Sequence, residues 1–277
     1  MMTLETKYEQ LKSILQDLDS VVIGFSGGVD STFLLKVAKD TLGDDVLAVT
    51  ARSSTYPERE FLEAKEYAKN LNAKHEVIVS EELDIEGFSK NPIDRCYHCK
   101  NELFSKIQAV AKEKDYKYVL DGSNLDDVGD YRPGMKAAKE LGVRSPLREA
   151  EMTKADIRAL SQKLNLPTWN KPAFACLSSR FPYGNEITKD KLSMVEKAEE
   201  YLRSLGIIQT RVRHHENIAR IEVDPRERKK FFDEEVMDEV GKTLTGFGFA
   251  YVTLDVLGYR SGSMNEVLSE DEKNISK

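Results

Sequence analysis

The sequence predicts an α/β fold: a parallel sheet with helices on both faces, followed by a smaller α+β domain. Three observations carry this. Short apolar runs alternate with helix-period segments over roughly the first 165 residues, the pattern of a parallel sheet wrapped by helices. A glycine-rich turn, Ser26-Gly27-Gly28-Val29-Asp30-Ser31, joins the first apolar run to the helix after it. Beyond an irregular, proline-rich stretch at 165–184 the order changes to helix, strand, strand, helix, strand.

The elements follow in order. Leu4, Tyr8, Leu11, Leu15 and Leu18 recur at steps of three and four, which predicts an amphipathic helix. Val21-Val22-Ile23-Gly24-Phe25 reads as a buried strand. A helix over 32–42 closes at Gly43. Strands are expected over 46–50, 75–79 and 117–120, with helices over 57–71 and 100–113 between them. Thr153-Lys154-Ala155-Asp156 resembles a capping box and opens a helix to about 164. Then come a helix over 188–205, strands over 211–215 and 218–223 around a Glu216-Asn217 turn, a helix over 225–244 and a strand over 249–254. The expected domains are 1–170 and 187–265, with 171–186 as an active-site loop and linker.

Composition narrows the function classes. No apolar run approaches the ~18 residues of a membrane span. The polar start lacks a signal-peptide core, so a cytoplasmic location is expected. The formal charge of −7 argues against nucleic acid as a partner, because such binders displace counterions with basic surface. Three cysteines, Cys96, Cys99 and Cys176, are an odd count that suits ligands or nucleophiles better than a disulfide framework.

The loop carries the chemistry. Gly27 and Gly28 let the backbone approach an anion, and the helix beyond points its N–H groups at it. Ser26 and Ser31 add hydroxyl donors. Asp30 would repel bare phosphate, so it is expected to hold Mg²⁺ or orient the loop. The missing Gly-Lys-Ser/Thr ending points away from γ-phosphate transfer and towards a grip on departing pyrophosphate. Arg52 lies just past the second strand, where an adenosine would rest, and Gly122 and Asn124 lie just past the fourth. Arg180, Arg211 and Arg213 suit a phosphate group, and the last two share one strand face. A solvated basic face is the competing reading. Cys96-Tyr97-His98-Cys99 admits three: a redox pair, a zinc half-site completed by Cys176 and His98, or a cluster half-site.

The six-residue loop resembles the SGGxDS signature of the PP-loop ATP pyrophosphatases, whose domain is of the adenine nucleotide alpha hydrolase-like kind. Further segments resemble the LarE family specifically. They are Asp130-Tyr131-Arg132-Pro133-Gly134, Trp169-Asn170-Lys171, Ser178-Ser179-Arg180-Phe181-Pro182-Tyr183-Gly184, Arg211-Val212-Arg213, Ile218-Ala219-Arg220-Ile221-Glu222, Tyr251-Val252-Thr253-Leu254-Asp255 and Arg260-Ser261-Gly262. The resemblance implies adenylation by ATP of the carboxylates of pyridinium-3,5-biscarboxylic acid mononucleotide, then displacement of AMP by sulfur, for nickel-pincer nucleotide synthesis. It implies catalytic roles for Asp30, Cys176 and Arg180, a substrate phosphate on Arg211 and Arg213, and a metal contact at Glu222. It also implies a homo-oligomer, a hexamer in family members. In well-known members the cysteine matching Cys176 gives up its own sulfur. The added CxxC departs from them and resembles a subtype whose three thiolates hold a [4Fe–4S] cluster, through which sulfide or another donor supplies the sulfur. The competing readings are a sacrificial Cys176, tRNA thiolation, amidation by ammonia, and a non-catalytic nucleotide-binding or zinc module.

Overall fold

β1 (Val21–Gly24) is an inner strand, paired in parallel with β2 (Val46–Arg52) on one side and β4 (Tyr118–Leu120) on the other. β3 (Lys74–Val79) extends the sheet beyond β2, giving the order β3-β2-β1-β4. The computed structural model describes residues 2–127, 133–260 and 262–269. Asp130, Tyr131, Arg132 and Ser261, quoted above, lie outside the described residues. The described residues up to Glu81, with those from Cys96 to Phe174, form one unit; Glu82–Arg95 and those from Ala175 onward form another.

In the first unit both faces of the sheet are covered, because successive side chains of a strand point to opposite faces. Val21 and Ile23 join the core that takes in α1 (Leu4–Gln16), α2 (Val29–Leu42) and α7 (Lys154–Lys163). Val22 turns the other way, towards Phe104 and Ile107 of α4 (Arg95–Glu113) and Ala138 of α5 (Pro133–Glu140). This is why β1 reads as an unbroken apolar run. α3 (Glu58–Asn70) contributes Ala64 and Ala68 to the first core.

Several helix boundaries differ from the expected ones. α2 starts at Val29, since extended Gly28 is its N-cap, so Asp30 and Ser31 sit in the first turn. α4 starts at Arg95, after a turn in which Arg95 N–H donates to Pro92 C=O at 3.1 Å, so the CxxC pair is helical. α5 and the short α6 (Pro146–Glu149) were not expected; both begin at proline, which suits a first helical turn.

The second unit holds α8 (Lys189–Ser204), the β5–β6 hairpin (Thr210–His215, Ile218–Val223), α9 (Glu234–Gly246) and β7 (Tyr251–Leu254). β5 and β6 are antiparallel around Glu216, whose φ of 56° makes the tight turn, and β7 joins β6 in parallel. α9 starts later than expected because Asp233 caps it, accepting from Glu235 N–H and Val236 N–H.

The capping box expected at Thr153 is present. Its hydroxyl accepts from Asp156 N–H at 3.2 Å, and the Asp156 carboxylate accepts from Thr153 N–H at 2.9 Å. Thr153→Ala is expected to cost about 1 kcal/mol, read as a lowered urea midpoint with unchanged slope.

Candidate active site

In a doubly wound sheet, ligands bind beyond the carboxyl ends of the strands where the winding reverses. Here that point lies between β1 and β4, and the loop 26–31 leaves β1 there. The loop is held from several sides. Gly27 has φ 61°, and a Cβ there would lie 2.9 Å from Ala64 of α3, so glycine alone fits. Ser26 and Ser31 hydroxyls meet at 3.1 Å. Tyr56 donates to Ser26 C=O at 2.7 Å, and Lys171 Nζ donates to Gly27 C=O at 3.2 Å. Lys171 is also paired with Glu60 and Glu63 at 2.7 Å each. Burial opposes its charge, yet these two glutamates raise its pKa above the ordinary value.

From β4, Gly122 approaches so closely that an added Cβ would lie 3.1 Å from Ser31 N. Asn124 Nδ2 donates to Asp30 Oδ1 at 3.4 Å, and the other Asp30 oxygen is paired with Lys154. Burial raises the Asp30 pKa; Lys154 and Asn124 oppose this and the charge of Asp127 adds to it. The structure brings Ser26, Gly27, Gly28, Asp30, Ser31, Gly122 and Asn124 together, with Tyr56, Lys154 and Lys171 beside them. Arg52 points elsewhere: it pairs with exposed Glu58 at 3.1 Å and lies over the Phe61 ring. Mg²⁺ needs only one or two carboxylates beside substrate phosphates, and Asp30 with Asp127 supplies oxygen donors of that kind.

Cys96 and Cys99 lie in the first two turns of α4, three residues apart and so on one helix face. Neither is in a disulfide, nor is Cys176, and all three are half-buried. Among the described residues no group of three or more His, Cys, Asp or Glu could hold a metal ion. Cys96 and Cys99 belong to the first unit and Cys176 to the second.

In the second unit Cys176 precedes a 3-10 turn, Leu177–Arg180. Arg180 was expected to meet substrate, but its guanidinium is fully buried. It forms a fork with Glu199 at 2.8 and 2.9 Å, and it donates to Ala175 C=O at 2.8 Å and Cys176 C=O at 3.1 Å. Its work is to fix the backbone that carries the thiol. Burial opposes the charge of Glu199, but Arg180, backed by Arg211 and Arg203, holds its pKa down to about 2.

Arg211 and Arg213 do share a face. Their cross-strand partners are Glu222 and Arg220, so three arginines and one glutamate lie together on the hairpin. Both Glu222 oxygens accept from guanidinium groups, of Arg213 at 2.7 Å and Arg220 at 2.9 Å; the carboxylate expected to touch a metal is engaged by these two arginines. The Arg211 pKa is pushed down to about 10 by burial and the nearby Arg180. Among the described residues, the buried Nε donors of Arg213 and Arg220 have no hydrogen-bond partner. Such donors are costly to bury without an acceptor, so this face suits an anion.

Glu199, Lys154 and Lys171 escaped the sequence reading. Glu199 had a signal: it falls on the apolar stripe Leu192, Val195, Leu202 of α8. Lys171 lies in the Trp169-Asn170-Lys171 segment, and Lys154 inside the capping box. No described helix is long and apolar enough to cross a membrane.

Comparison with known proteins places this geometry. The NAD synthase family model matches residues 4–111. The pyridinium-3,5-bisthiocarboxylic acid mononucleotide synthase of Lactiplantibacillus plantarum is 44% identical over 271 residues, 98% of each chain. An uncharacterized protein of Synechocystis is 47% identical over 96% of this chain and 100% of its own. One chain of the glutamine-hydrolyzing GMP synthase of Archaeoglobus fulgidus is 25% identical over 71% of this protein and 68% of its own length. The chain belongs to the LarE family of ATP-dependent sulfurtransferases, within the PP-loop ATP pyrophosphatases.

The buried Arg180–Glu199 pair makes a prediction. Glu199 titrates lower folded than its ordinary 4.5. Its stabilisation is therefore complete above that value and is lost as pH falls from about 4.5 towards 2. Urea unfolding of the wild type should weaken over that window, and Glu199→Gln should flatten the dependence. Arg180→Ala, which strands a buried carboxylate, should cost about 3–5 kcal/mol at pH 7.

Proposed function

We propose that this enzyme adenylates the ring carboxylates of a pyridinium biscarboxylic acid mononucleotide and replaces AMP by sulfur, giving thiocarboxylates. A carboxylate oxygen attacks the α-phosphorus of ATP, and pyrophosphate leaves with the bridging oxygen. Sulfur then attacks the acyl carbon, and AMP leaves with the former carboxylate oxygen. This splits one hard displacement into two easier ones, since expelling oxide is prohibitive and expelling a phosphate monoester is not.

The carrying observation is the loop at the β1–β4 switch, with Gly27 and Gly122 kept bare of side chains and Asp30 beneath. The backbone N–H groups that start α2, with Ser26 and Ser31, are suited to the departing pyrophosphate. Bound Mg²⁺ would neutralise the phosphates, with Asp30 as its protein ligand. The orphaned Nε donors of Arg213 and Arg220 support a substrate phosphate on the face that carries Arg211 and Arg213. Named for the bisthiocarboxylic product, the Lactiplantibacillus relative supports the choice of substrate.

The sulfur reading is built on the thiols. Cys96 and Cys99, paired on one face of α4, with Cys176 are proposed as ligands of a [4Fe–4S] cluster, which would supply a bound sulfide. The alternative is the sulfur of Cys176 itself.

Two experiments test these readings. Pyrophosphate release should depend on the biscarboxylic mononucleotide and fall at least tenfold in Asp30→Ala; release that ignores both the mononucleotide and this substitution sinks the adenylation reading. Anaerobically isolated protein should carry about four irons per chain, lost in Cys96→Ser, Cys99→Ser and Cys176→Ser alike. Iron-free, active protein that becomes about 34 Da lighter after one turnover, the mass of H₂S, would assign the sulfur to Cys176.

A further inference from the structure

Lys154 is placed where helix energetics alone would not put it. It is the first residue of α7, at the positive end of the helix dipole, where a cation is unfavourable. Its backbone is pinned: Lys154 N–H donates to Asp126 Oδ2 at 2.8 Å, and Thr153 caps the helix beside it. Only the side chain is free to move, and its ammonium meets Asp30 from 124 residues away. Asp30 itself sits in the first turn of α2, at the foot of the phosphate loop, with Asn124 on its other oxygen.

These contacts give the Asp30 carboxylate a counter-ion while no phosphate is present. A divalent cation arriving with phosphate and held by Asp30 would share its carboxylate with the Lys154 ammonium, and two cations on one carboxylate repel. The lysine must then leave, and the nearest strong anion is the phosphate that brought the metal. A four-carbon stem with a rotatable ammonium suits such a move.

We propose that Lys154 is the resident counter-ion of Asp30, exchanged for the divalent cation on nucleotide binding and then bound to the pyrophosphate moiety. The inference rests on the reading of loop 26–31 as a pyrophosphate site. It gives the enzyme a phosphate-binding lysine although the loop itself ends without one.

Calorimetric titration of the full chain with magnesium pyrophosphate, and separately with magnesium alone, tests this without turnover. Lys154→Met should weaken magnesium pyrophosphate about ten- to a hundredfold, as for a lost charged hydrogen bond. It should also tighten magnesium alone, because the competing ammonium is gone. Lys154→Arg should recover most of the pyrophosphate affinity, and it reports on the site should the methionine variant fold poorly. Equal pyrophosphate affinity in wild type and a folded Lys154→Met overturns the proposal while leaving the loop assignment intact. Wild type that binds no magnesium pyrophosphate overturns the loop assignment, and the proposal with it.

Discussion

The nucleotide loop depends on the pairing of β1 with both β2 and β4. Val21, Val22 and Ile23 are fully buried, and each has a Cα partner on both neighbours. That fixes where β1 ends, and so where the chain must turn into α2. With β4 alongside, its exit at Gly122 comes within van der Waals reach of Ser31. Nothing larger than glycine fits at Gly27 or Gly122 without moving backbone. The anion site is thus a backbone construction, made by two strand ends and one helix start; side chains refine it.

The refinements use paired charges. In the first unit Lys154 answers Asp30, and Lys171 joins the Gly27 carbonyl to Glu60 and Glu63 of α3. In the second, Arg180 answers Glu199, and Arg213 with Arg220 answers Glu222. The buried ones among them, Lys171–Glu60, Arg180–Glu199 and Arg213–Glu222, contribute little net stability over apolar packing, but breaking one is expensive. Their value is positional. Arg180 holds two carbonyls next to Cys176, and the fork to Glu199 leaves it one orientation. The arginine face of the hairpin differs, because its two orphaned Nε donors leave capacity for an anion.

Sequence determined much of this, and the reason is locality. The loop lies within six residues, between an apolar run and a helix, and glycine's backbone freedom is a local property. The alternation of strands and helices, the capping box at Thr153 and the turn at Glu216 rest on neighbours a few residues apart. The shared face of Arg211 and Arg213 follows from strand period alone. Tertiary structure decided the partners. A buried arginine and a substrate-facing one look the same in sequence, so Arg180 became a structural anchor only once Glu199 met it from α8. Lys154 and Lys171 reach the loop across 124 and 144 residues, distances over which periodicity carries no information. Whether a charge serves chemistry or packing depends on what lies opposite it, and that is set by the fold as a whole.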